Sequence, residues 1–164
     1  MNYSAENTFT ITGLDSLANS ATAGWGSGVI DNITTDKFID ALLDFKLVFA
    51  NTAPANNKAV SLFAFGGTNA TDVGTTGATT GGVCGTVGAL TFPSIATLPN
   101  NLKFIGNIEH PANFASDSQV LPVISIAEAA GWRFLPPYWG IALVNYSGAA
   151  LGTGNAIKWR GITI

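Results

Sequence analysis

The chain has 164 residues, a formal net charge of -3 and only 10% charged residues, against about a quarter in an average soluble domain. Its length suits one domain, residues 1–164, built on one core, and seven Lys and Arg leave no basic stripe to neutralise phosphates, so no nucleic acid is expected as a partner. Apart from "IALV" the apolar runs are broken by Gly, Thr, Asn or Asp, far short of the roughly 18 to 20 residues of a spanning helix, so no membrane segment is expected.

The opening "MNYSAENTFTITG" has neither the basic nor the apolar region of a secretory signal, and synthesis in a cytoplasm follows as the expectation. Within it Phe9 and Ile11 alternate with threonines as a first strand. "GWGSGVIDNITTD" then leads into "KFIDALLDFKLVFAN", where two periods compete. Asp36, Asp40 and Asp44 recur every four residues, which suits a helix face, whereas Phe45, Leu47 and Phe49 alternate as in a strand; the alternation predicts a strand over Leu42 to Ala50. "KAVSLFAFGG" predicts another, with Phe63 and Phe65 on one face.

A Gly/Thr-rich tract over about 66–88 is too poor in large apolar residues to build core by itself and reads as a long exposed loop, with room for a short hairpin near Val83 to Val87. "PSIATLPNN" bends the chain before "LKFIGNIEH", where Leu102, Phe104 and Ile108 supply strand apolars around Gly106. In "SQVLPVISIAEAAGW" the apolar positions Val123 and Ile126 follow Pro122, a residue that belongs on a sheet edge or at a strand start. "YWGIALVNYSG" and "NAIKWRGITI" flank "AALGTG" as an expected terminal hairpin. The second of these alternates Ile157, Trp159 and Gly161 with Lys158 and Arg160, but the first, with Ile141 and Leu143 opposing Ala142 and Val144, has no clearly wet face. Short strands at this spacing with no long helix predict an all-β fold, an antiparallel two-sheet β-sandwich, as a jelly roll of about eight strands.

Chemistry-bearing residues are few. His110, the single histidine, stands in "IEHPAN" and reads as a loop residue at the rim, and Cys84, the single cysteine, as a small packing residue with no partner for a disulfide or a zinc site. Asp31, Asp36, Asp40 and Asp44 could serve calcium or glycoside chemistry only if they converged, and they read as solvent-facing. No serine sits in a G-x-S-x-G elbow, Ser27 in "GWGSG" included, and the glycines form no phosphate-binding loop. No catalytic residue, metal or cofactor is therefore expected. The sequons at Asn2, Asn32, Asn69 and Asn145 are expected to stay unmodified. Trp25, Trp132, Tyr138, Trp139, Tyr146 and Trp159 read as core or interface anchors, with a sugar-stacking platform as the rival use.

"RFLPPYWGIALVNYSGAAL", together with "SGVIDNITTDKFIDALLDFKLVFA", "SLFAFGG" and "LKFIGNIE", resembles a group of small phage structural proteins encoded among head and tail genes. Their recurring features are an Ile-Asp-Asn stretch before a long strand, a Leu-Gly or Ile-Gly strand, and a Leu-Pro-Pro-x-Trp-Gly corner followed by a strand ending in Asn-x-Ser/Thr-Gly. The likeness runs from about Ser27 to the C-terminus and is a pattern of strand and turn residues. It implies a jelly-roll-like virion protein of the capsid decoration or cement type, made in the host cytoplasm, binding the major capsid protein at the capsid surface as a homotrimer, without catalytic residues.

Composition agrees with that implication, because interface cores are depleted in charge. Pro136 and Pro137 fix φ and remove two backbone donors, so the chain turns rigidly there and presents Phe134, Tyr138 and Trp139. Phe134, Pro136, Pro137, Tyr138 and Trp139 form the candidate subunit or capsid interface, and the strand after them is expected to bury one face in the sandwich and offer the other to a neighbour. Two rival functions remain: a tail or host-attachment component, and a carbohydrate-binding module that uses the tryptophans.

Overall fold

Alternation decides the strand that carries two competing periods. In Asp40–Val48 the side chains of Ala41, Leu43, Phe45 and Leu47 are buried while Asp40, Leu42, Asp44 and Lys46 face outward. The four-residue spacing of Asp40 and Asp44 thus puts both on one pleated face, since four is also a multiple of the strand period.

The computed structural model describes residues 1–34, 37–50, 59–93, 101–109 and 118–164, with the backbone alone at 118–122. Eleven strands are present among the described residues: β1 (Asn2–Tyr3), β2 (Asn7–Thr8), β3 (Ala23–Gly26), β4 (Ile30–Asp31), β5 (Asp40–Val48), β6 (Ala59–Gly67), β7 (Gly88–Thr91), β8 (Leu102–Glu109), β9 (Ser118–Ser125), β10 (Tyr138–Asn145) and β11 (Ala156–Thr163). One short helix, α1 (Ile126–Ala129), follows β9. The strands form two antiparallel sheets, as expected for a β-sandwich. The first has the order β1-β11-β5-β9, with β2 also on β11; the second has the order β7-β3-β10-β6-β8, with β4 also on β10.

Two irregularities shape the edges. On β8, Leu62 faces Gly106 but Phe63 faces Phe104, so Ile105 is the extra residue of a bulge. That extra residue turns inward and is buried, whereas Phe104 remains 54% exposed, so the strand is not the simple alternation that Leu102, Phe104 and Ile108 suggest. On the edge strand β9 the register shifts between Leu43/Ile124 and Phe45/Leu121. Pro122 lies in this shift, where its missing N–H costs no regular ladder bond.

The main core fills the space between the sheets with Trp25, Phe45, Leu47, Leu62, Trp139, Ile141, Leu143, Ile157 and Trp159 among others. A second buried cluster lies on the outside of the second sheet and joins Phe63, Phe65, Ala142 and Val144 to Val73, Cys84, Leu90 and Phe92. The Gly/Thr tract supplies part of that lid. Its outer residues are exposed as expected, but Val73, Thr76 and Cys84 are buried beneath it. Thr75 pairs with Val83 and Gly28 with Gly85, so the tract has a small hairpin of its own and a tie to the chain beyond β3. Small residues let it lie flat on the sheet, and the large apolar residues it lacks come from the sheet itself.

The terminal hairpin is overturned. β10 pairs with β3, β4 and β6 in the second sheet, while β11 pairs with β1, β2 and β5 in the first, so the segment between them crosses the end of the sandwich. There Leu151 bridges to Phe49 and its N–H donates to the Leu17 carbonyl at 2.9 Å. Also overturned is the free second face of β10. Ala142 and Val144 are 1% and 0% exposed because the chain covers them itself.

Candidate interaction site at the Pro-Pro corner

The corner starts from α1. Ser125 caps it, its hydroxyl oxygen accepting from the Glu128 N–H at 3.1 Å and donating to Asp40 Oδ2 at 2.6 Å. Asp40 Oδ1 takes the Ala127 N–H at 2.9 Å, so this carboxylate is a structural tie between β5 and the helix. Gly131 (φ 67) ends the helix. The chain then reaches Leu135, which is buried and donates its N–H to the Ile39 carbonyl at 3.0 Å.

Pro136 and Pro137 cannot donate, so their carbonyls are what the structure secures. Asn32 does this: its N–H donates to the Pro137 carbonyl at 2.8 Å and its Nδ2 to the Pro136 carbonyl at 3.4 Å. The same amide grips Phe38 on both sides, donating to its carbonyl at 2.9 Å and accepting from its N–H at 2.9 Å. Gly66 completes the fit, since a Cβ there would stand 2.6 Å from Pro136 Cγ. The Ile-Asp-Asn and Leu-Pro-Pro stretches, more than a hundred residues apart in sequence, are thus two halves of one joint.

Asp31 sets the surface beside the joint. Its carboxylate accepts from the Ile33 and Thr34 N–H groups at 2.8 and 3.0 Å and from Thr34 Oγ1 at 2.7 Å. The Thr34 hydroxyl bond, followed by the two backbone bonds, holds its carboxyl below the ordinary value. The turn so formed leaves Ile33 43% exposed. Phe134 is 55% exposed, with the Arg133 guanidinium 5.5 Å from its ring centroid.

Of the five candidate interface residues, Phe134 is on the surface and Pro136, Pro137 and Tyr138 are half-buried. Trp139 is a correction: it is fully buried, edge-on to Phe9 at 6.0 Å and to Trp159 at 5.4 Å. Parity explains the split, because neighbours on β10 face opposite ways and Tyr138 takes the outer face. The indole Nε1 of Trp139 has no hydrogen-bond partner, a cost accepted within an edge-to-face aromatic cluster.

Other residues weighed from the sequence take structural places. Asp36 and His110 lie outside the described residues. Cys84 is buried, and desolvation pushes its thiol up to about 12, which makes it unreactive. Ser27 is buried and continues the β10 ladder, its hydroxyl accepting from the Ile141 N–H at 2.9 Å. Trp25 and Trp159 are core. Among the described residues no three His, Cys, Asp or Glu gather as metal ligands.

Sequence reasoning missed the buried amides. Asn145 donates from Nδ2 to the Leu17 and Ala149 carbonyls at 3.0 and 2.8 Å and accepts from Ser147 Oγ at 2.7 Å. Asn155 accepts from the Val48 N–H at 2.9 Å and donates to the Gly152 carbonyl at 2.9 Å. The signal for Asn145 was present in its Asn-x-Ser-Gly setting, a polar cluster at a strand end.

No family model, curated protein or solved structure matches the chain.

Proposed function

We propose that the chain is a virion structural protein without enzymatic activity, a capsid decoration or cement protein that binds the major capsid protein and works as a homotrimer on the capsid surface. The observation that carries this reading is the spread of large exposed apolar side chains over separate faces of a charge-poor molecule. Ile33 and Phe134 stand by the Pro-Pro corner, Val83 on the Gly/Thr cover, and Phe104 and Val123 on two different sheet edges. The cover from 66 to 93 contains one charged residue, Asp72. A binder of one small ligand concentrates apolar surface in one cleft, whereas a shell subunit meets neighbours on several sides through contacts that are individually weak and collectively tight.

The winding supports the same reading. With β1 and β2 taken as one broken strand on β11, and β3 and β4 as another on β10, the first sheet has four strand positions and the second has four besides the edge strand β7. We read these eight as a jelly roll, with β7 and the Gly/Thr cover inserted between β6 and β8.

The sugar-stacking alternative loses three of its six aromatics, since Trp25, Trp139 and Trp159 are interior. The test is to add purified chain to capsids of the encoding virus assembled without it. Saturable binding in fixed ratio to the major capsid protein, with raised thermal resistance of the shell, is expected. Absence of binding would overturn the proposal.

A further inference from the structure

Residues 1–8 bury no side chain: seven are exposed and Ser4 is intermediate. They lie along the outer edge of β11 nonetheless. Asn2 and Tyr3 pair with Thr163 and Ile162, and Asn7 and Thr8 with Trp159 and Lys158. Between them Ser4 donates its N–H to the Gly161 carbonyl at 2.9 Å and its Oγ accepts from the Gly161 N–H at 2.9 Å. Glu6 forms ion pairs with Lys158 at 2.8 Å and Arg160 at 3.5 Å. The first buried anchor is Phe9, set between Trp139 and Trp159.

An arm held by ladder bonds and exposed ion pairs, with no apolar anchor, is the least costly part of the molecule to lift. What it would leave is an open strand edge, which favours re-pairing. The complement of that edge is written in the arm: Ser4 for Gly161, and Glu6 for Lys158 and Arg160. We propose that residues 1–8 are an exchangeable arm that leaves its own β11 and completes the same edge of a second copy of the chain. The bonds lost and gained are identical, so the balance is set by concentration and geometry. Eight extended residues beyond Phe9 reach roughly 26 Å, enough to cross to an adjacent molecule. The proposal stands apart from the virion reading, because it requires only two copies of this chain.

The test is disulfide trapping with Asn2→Cys and Thr163→Cys combined. These residues are direct cross-strand partners, within the separation a disulfide spans, and buried Cys84 does not compete. Two versions of the double variant that differ by a mass tag are mixed, incubated at about 1 µM or about 1 mM, and oxidised. Exchange predicts a mixed interchain product that rises at least about tenfold between these concentrations. Only intrachain product at both concentrations, or no disulfide at all, would overturn it. Adding Glu6→Lys separates exchange from collision: the ion pairs with Lys158 and Arg160 are lost alike on its own β11 and on that of a second copy, so exchange predicts an unchanged interchain share, whereas a several-fold rise would mean chance encounters of freed arms and would also overturn it.

Discussion

Replacing Asn145 by Ala leaves the buried Ser147 N–H without its acceptor and takes one of two donors from the carbonyls of Leu17 and Ala149. Buried polar groups left unmatched cost about 1 to 3 kcal/mol, so Asn145→Ala should lower the urea midpoint by the equivalent of about 2 kcal/mol or more at unchanged m-value. An unchanged midpoint would show that the clamp is dispensable. Trp139→Ala removes a fully buried indole and should cost about 3 to 5 kcal/mol, measured in the same way. Phe134→Ser, five positions earlier and half-exposed, should leave the isolated chain within about 0.5 kcal/mol of the original while weakening its binding to capsids at least about tenfold. Equal binding by Phe134→Ser would remove the corner from the interface. The residue types at this corner were legible in the sequence, but the side each one faces was not. Tyr138 and Trp139 both follow the proline pair, and the parity of β10, fixed by its pairing with β6, separates the core indole from the outward phenol ring.

At the scale of elements, the strand spacing and the alternation of β5 and β11 were readable because each has one wet face. β10 was harder. Its lack of a wet face suggested a neighbouring subunit, yet the Gly/Thr cover closes over Ala142 and Val144 within the same chain. Composition hides this, since the cover contributes few large side chains and the cluster is built mostly by Phe63, Phe65 and Phe92. The terminal hairpin was misread for a related reason: a short Gly-rich segment permits a tight turn but does not demand one, and the pairing of β10 with β6 decides the matter. Replacing 68–87 by a short turn should therefore expose this second cluster, giving dye binding to apolar surface and a broadened thermal transition. A sharp, unshifted transition would mean that the cover contributes nothing to the fold. The arm has its own signature. Lys158 and then Arg160 hold the Glu6 carboxyl below its ordinary value of 4.5, so its ion pairs are complete above that value and are lost as pH falls through the depressed one. Amide exchange at Ser4, compared with a global reference amide, should accelerate selectively on acidification through that range; equal protection would contradict the role of Glu6.

For the whole molecule, the scarcity of charge was legible at once, 17 charged residues in all, and the structure shows how those among the described residues are distributed. Glu6, Asp40, Asp44, Lys46, Lys158 and Arg160 belong to the first sheet and its arm, whereas the cover over the second sheet has only Asp72. One broad side thus carries charge along its strands, and the other lies under a cover rich in Gly and Thr with a single charge, bordered by the exposed Phe104 and Val83. Such asymmetry suits a subunit with one side toward solvent and other sides toward protein. The proposal that this chain belongs to a virion shell is tested most directly by copy number. Quantitative mass spectrometry of purified particles of the encoding virus should give an amount equal to the major capsid protein or a simple fraction of it. A few copies per particle would place the chain in the tail, and its absence from particles would contradict the account.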